Sequence, residues 1–211
     1  MKSPRLQPFP DDAPASHPMS VLVQPRSEAH PLDEFYVRAG RALLPFTVVS
    51  GDAVPEPYRA LLVHERDMTR TLEQHHGGSI HLRVLSSHHA GDAYWRESVL
   101  ELDGSDQPVE FGAIKIHLDR FPEPWRTRIL EEHLPLGGIL NASGIRYTSR
   151  PAAYLRFKPD HFITCALHLE RADALHGRQN TLRDLAGRTL AEIIEILPSA
   201  LPRSPEPLKP S

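Results

Sequence analysis

Between residues 31 and 198 the spacing of apolar positions switches between a helical and an extended period. Leu32, Phe35, Tyr36, Ala39 and Leu43 recur near every 3.6 residues and predict an amphipathic helix that stops before Pro45. Residues 57–62 and 67–74 predict two more, the second opened by Asp67 as N-cap and stopped at Gly77. The period then falls to two. Ile80, Leu82 and Val84 alternate with His81, Arg83 and Leu85, the pattern of a strand. Residues 94–102 and 108–118 predict further strands, joined by the turn chemistry of Asp103-Gly104-Ser105-Asp106-Gln107, so these two should form an antiparallel hairpin. A helix over 122–134 opens at Pro122 and Pro124, residues 154–158 form a strand, and Asp160 caps a short helix through Leu169. Two last strands, 174–182 and 189–197, flank a turn around Gly187. Long helices between every strand pair are missing, which disfavours a parallel doubly wound sheet. The expected class is α+β: a single antiparallel sheet of about six strands with helices packed on it.

Composition adds boundaries. Seven of the 21 prolines fall in the first 31 residues and five lie between Pro198 and Pro210. Both ends lack hydrophobic periodicity, so 1–30 and 199–211 are expected as proline-rich tails around one domain at 31–198. The 211 residues carry 24 basic against 27 acidic side chains, a net charge of −3, which argues against a nucleic-acid partner. No run of apolar residues is long enough to span a membrane, and the N-terminus has no signal-peptide stretch. A single cysteine, Cys165, excludes a disulfide framework within the chain and suits a reducing, cytoplasmic setting. Oligomeric state leaves no signature.

Several motifs carry less than they first suggest. The pairs His75-His76 and His88-His89 are adjacent rather than four apart, so neither puts two imidazoles on one metal, and solvated rings at element ends and turns are expected. Cys165 sits in the apolar run 162–167, where a buried, inert thiol is the expectation. Gly137-Gly138 lacks the Lys and Ser/Thr of a phosphate loop, and no nucleophile elbow is present. No metal site is expected from these motifs.

What remains is a set of charges inside apolar strands: Arg96 and Glu97, Arg178, Glu192 and Glu195. Half-exposed antiparallel strands alternate charged and apolar residues, and cross-strand Arg–Glu pairs account for such a pattern without any ligand. The functional reading gives the arginines bidentate hydrogen bonds to carboxylates and gives a partly buried Glu one proton to manage.

In order along the chain, residues 67–74, Tyr94-Trp95-Arg96-Glu97, Pro135-Leu136-Gly137-Gly138-Ile139-Leu140, Gly177-Arg178 and a last strand with Glu before Leu197-Pro198 resemble bacterial chorismate pyruvate-lyases. That family shares a fold with the UTRA ligand-binding domains of bacterial transcription regulators. The resemblance spans about 67–198. It implies a buried pocket closed by flaps and conversion of chorismate to 4-hydroxybenzoate and pyruvate, a step in ubiquinone biosynthesis, without metal or organic cofactor. It also implies that Arg96 holds the ring carboxylate, that backbone near Met68 and Leu136 lines and orients the pocket, and that Glu195 meets the ring oxygen, with Arg178 on the enolpyruvyl carboxylate. Glu192, three residues earlier and on the opposite face, is the alternative carboxylate. A UTRA-like domain that binds a small aromatic carboxylate without catalysis is the alternative function. A degenerate member with a structural or interaction role is the third.

Overall fold

Most strands carry apolar side chains on both faces, so helices pack on both sides of one sheet. The computed structural model describes residues 27–199. Its helices are α1 (Leu32–Arg38), α2 (Tyr58–Leu62), α3 (Met68–His76), α4 (Trp125–Leu130), α5 (Leu136–Ser143) and α6 (His161–Ala166). The strands are β1 (Phe46–Val49), β2 (Ile80–Ala90), β3 (Ala93–Leu102), β4 (Gln107–His117), β5 (Tyr147–Phe157), β6 (Leu175–Asp184) and β7 (Thr189–Leu197). They form one sheet in the order β1-β5-β6-β7-β4-β3-β2, with every neighbouring pair antiparallel. The α+β class and the hairpin of β3 with β4 are as the sequence predicts.

On one face, Leu32, Phe35 and Tyr36 of α1 and Ile163 and Ala166 of α6 pack on Val99, Phe111, Leu155, Phe157, Ile194 and Ile196. The other face holds two apolar clusters. Ile129 of α4 and Leu136, Ile139 and Leu140 of α5 cover Tyr94, Ile114, Ile116 and Leu182. Leu61 and Leu62 of α2 with Met68 and Leu72 of α3 cover Leu100, Val109 and Leu197. α3 begins and ends as expected: the Asp67 carboxylate accepts from the Arg70 amide at 2.8 Å, and Gly77 closes it at φ 67°. Asp160 caps α6 in the same way.

The departures have local causes. The sheet has seven strands because the four-residue β1 pairs with β5 at its edge, too short to show a period. The helix predicted over 32–43 ends at Arg38, where the chain turns through Gly40 at φ 64°. That predicted over 122–134 spans only Trp125–Leu130. α5 forms despite its Gly137-Gly138 pair, because Leu136, Ile139 and Leu140 are buried on the sheet, and tertiary packing outweighs propensity. β2 runs on to Ala90 and turns at Gly91, so His88 and His89 are strand residues paired with Trp95 and Tyr94 rather than turn residues, and of the two His89 is exposed as expected. The His88 ring stacks on Trp95 at 4.6 Å, and His76 is buried at the end of α3. Cys165 is exposed rather than buried, on the outer side of α6 with Sγ 3.5 Å from the His161 ring. Ala29 and His30, placed in the leading tail by composition, are buried. Residues 1–26 and 200–211 of the two proline-rich segments lie outside the described residues.

His30 sits among carboxylates: its Nδ1 is 3.3 Å from Asp33 and its Nε2 3.4 Å from Glu192, with Glu34 at 3.6 Å. Burial alone would lower its pKa, but these acids overcome that and hold it at about 9. In the unfolded chain the ring titrates near 6.5. Its stabilisation is therefore complete below about pH 6.5 and disappears as pH rises through about 9. Melting temperature should fall over that window, and the His30→Gln variant should lose that part of the slope.

Candidate functional site

A cavity of about 70 Å³, several times the space one water needs, lies between the sheet and the N-termini of α3 and α5. It occupies the seam between the α2/α3 and the α4/α5 clusters. Leu82, Leu100, Ile114, Leu182 and Ile193 supply apolar walls from the strands, and Met68 and Leu136 close it from the two helices. The first amides of a helix have no intrahelical partner, so both helix starts bring spare donors toward this space.

Alternation along β3 decides which charges enter it. Tyr94, Arg96, Ser98 and Leu100 share one face, whereas Trp95, Glu97 and Val99 share the other. Arg96 lines the cavity and is 2% exposed, and its Nε and Nη1 meet no hydrogen-bond partner. Burial lowers its pKa, and Tyr94 and Glu132 oppose that. Glu97, its sequence neighbour, turns away and accepts from the Ser86 hydroxyl at 2.7 Å.

Glu195 lines the same cavity from β7, directly opposite Gly112 of β4 and Arg178 of β6. Arg178 is fully buried and donates from Nε to the Glu195 carboxylate. Its Nη1 reaches the carbonyl oxygens of Leu62 at 3.1 Å and His64 at 2.9 Å. Arg178 is thus behind the wall rather than in it. Glu192, three positions back, faces α1, where His30 and His117 approach it at 3.4 and 3.5 Å. His64, beside Arg178, is pushed down to about 4 by burial and by the charges of Arg178 and Arg66, so its ring is neutral at neutral pH. The structure therefore brings Arg96, Glu195, Met68 and Leu136 to one cavity and keeps Arg178 one contact away.

Glu110 is the residue that sequence reasoning missed. It lines the cavity from β4 and is 5% exposed. A period-two count over 108–118 puts it on the face of Ile114, and the apolar residues around it are the signal that would have marked it. Asp67, read as a helix cap, is also in the wall. The second residue of α5 presses on it: a Cβ on Gly137 would stand 2.0 Å from the Asp67 Oδ2. Among the described residues no group of His, Cys, Asp and Glu could hold a metal ion.

No family model matches the sequence, and no curated protein matches it. Solved structures do. PhnF from Mycobacterium smegmatis aligns at 14% identity and a TM-score of 0.49, covering 65% of this chain and 65% of that one. The chain therefore spans just under two thirds of PhnF. The effector domain of the same protein gives 14% and 0.48 over 63% of this chain and 88% of that one. The ligand-binding domain of a putative GntR-family transcriptional regulator from Bordetella bronchiseptica gives 12% and 0.44 over 63% and 90%. These likenesses transfer no ligand and no activity to this chain.

Replacing Gly137 by Ala forces the Asp67 carboxylate away and uncaps α3. We expect a loss of about 1 kcal/mol in urea denaturation. In an Asp67→Ala background the same change should cost almost nothing, because the clash and the cap are then both gone.

Proposed function

We propose that the cavity binds a small aromatic carboxylate, with the ligand's carboxylate on Arg96. The observation that carries this reading is the buried Arg96 guanidinium with two donors unpartnered in a cavity wall. Buried donors left unpaired on a cation are costly, and a carboxylate accepting two parallel N–H bonds relieves that cost. Leu100, Ile114, Leu136 and Leu182 form apolar walls suited to a ring, and the amides at the start of α5 add donors beside the carboxylate. Glu195, fixed by Arg178, lies two sheet positions further along and accepts from a hydroxyl at the other end of the ring. Arg178 serves here as a positioning residue, not a ligand contact.

Lyase chemistry on chorismate is the second reading, favoured by the two carboxyl groups, Glu110 and Glu195, that share the cavity with Arg96. In that reaction the ring–ether bond breaks, the ring gives up a proton as it becomes aromatic, and the departing enolpyruvate gains one to become pyruvate. A carboxylate and a carboxylic acid side by side are suited to taking and giving those protons. Arg66, exposed at the rim of the cavity, is the second cation for a dianionic substrate.

Titration calorimetry with 4-hydroxybenzoate tests the binding reading. Binding is expected in the wild type and a loss of about 100-fold in Arg96→Ala, the size of a charged hydrogen bond pair. An unchanged affinity in that variant, or no binding to the wild type, sinks it. Incubation with chorismate separates the two readings. Equimolar pyruvate and hydroxybenzoate establish the lyase, whereas untouched chorismate with bound 4-hydroxybenzoate leaves a binding site alone.

A further inference from the structure

The carboxyl group of Glu110 has no role in the binding reading above, yet its placement is specific. Gly112, two residues along β4 on the same face, lacks a side chain, and Glu110 lies over the space this leaves. A Cβ on Gly112 would be 3.4 Å from Glu110 Oε1. Gly112 is also the residue directly opposite Glu195. The bare position therefore lets the two carboxyl side chains approach across the β4–β7 pair, a diagonal that long side chains bridge. Glu110 Oε2 is buried and meets no hydrogen-bond partner in the cavity wall.

Two carboxylates that face one low-dielectric cavity disfavour each other's charged form, and the surrounding charges decide which of them takes up a proton. Arg178 of β6 donates to Glu195 and not to Glu110. Asp67 at the start of α3 adds negative charge, and Arg96 of β3, Arg66 of the 63–67 segment and Tyr147 of β5 complete the charged and titratable wall. Burial first, then Glu195 and Asp67, push Glu110 well above the usual carboxylate range, against the pull of Arg178.

We propose that Glu110 holds a proton at neutral pH and, together with the Glu195 carboxylate held by Arg178, selects ligands that present a hydroxyl group at the end away from Arg96. A hydroxyl oxygen accepts from the Glu110 acid while its own O–H donates to Glu195. A hydrogen atom satisfies neither group, and a second carboxylate meets the charge of Glu195. The class selected is a ring with one carboxylate and one opposed hydroxyl. The identity of that ring rests on the aromatic-carboxylate reading above, but the protonation of Glu110 does not.

Infrared difference spectroscopy between wild type and Glu110→Gln at neutral pH tests the proton without any ligand. The carbonyl stretch of a protonated carboxylic acid should be present in the wild type and absent in the variant, and its absence from the wild type overturns the proposal. Calorimetry with benzoate, 4-hydroxybenzoate and benzene-1,4-dicarboxylate tests the selection. Wild type should prefer 4-hydroxybenzoate over benzoate tenfold or more and reject the dicarboxylate. Glu110→Gln, whose amide still donates, should keep the preference to within about threefold. Glu110→Ala should keep only the part of the preference that Glu195 provides, several-fold below wild type, its benzoate affinity showing that the variant is folded. A preference undiminished in Glu110→Ala overturns the selecting role. An acid band with no binding of any of the three rings overturns the aromatic-carboxylate reading and the selecting role together, a result distinct from either failure above.

Discussion

The contact between Arg178 and Glu195 is the constraint on which the site depends. Two charges withdrawn from water are tolerated only if each finds a partner and the remaining donors are satisfied, and removing one side of such a pair costs about 3–5 kcal/mol. Arg178 meets most of this by combining the Glu195 carboxylate with the carbonyl oxygens of Leu62 and His64, leaving one buried nitrogen, Nη2, without a partner. The pair thereby fixes the facing of β6 and β7 and seats the end of α2 against the sheet. Gly177, next to Arg178, is part of the same arrangement, because a Cβ there would stand 2.3 Å from the Glu195 carbonyl oxygen. With that floor in place, Glu195 has one orientation, and the space in front of it is a cavity rather than a collapsed core.

β7 also keeps two ionic clusters apart. Glu192 and Glu195 are three residues apart, so the pleat sends them to opposite faces. Glu192 joins His30 and His117 under α1, while Glu195 joins Arg178 and Glu110 under α3 and α5. The first cluster binds a proton as part of folding. The second leaves donors and acceptors facing open space. The same residue type on one strand thus serves stability on one face and a site on the other.

Much of this was legible in the sequence, and the reasons are particular. The caps at Asp67 and Asp160 read correctly because a carboxylate before a helical period has few other uses. The strands read correctly where period two was clean, as in β3 and β7. Glu195 and Glu192 were separable into faces by parity alone, but which face held a cavity depended on where α3 and α5 dock, which no local pattern reports. α5 was hidden by its two glycines, and Gly137 is there for the close approach of Asp67, a contact 70 positions away. Glu110 was hidden because its partner Glu195 lies on a distant strand. Arg178 looked like a ligand contact because the sequence shows a buried cation but not the carbonyl oxygens of the α2 end that occupy it.

Those carbonyl contacts carry a consequence for traffic into the cavity. Leu62 and His64 stand just before Arg66 and Asp67, which sit in its wall at the rim. One guanidinium therefore moors the doorway to the floor. With His64 held and α3 beginning at Met68, only Glu65, Arg66 and the capping Asp67 lie between two anchored ends, so the rim is a short tether rather than a free loop.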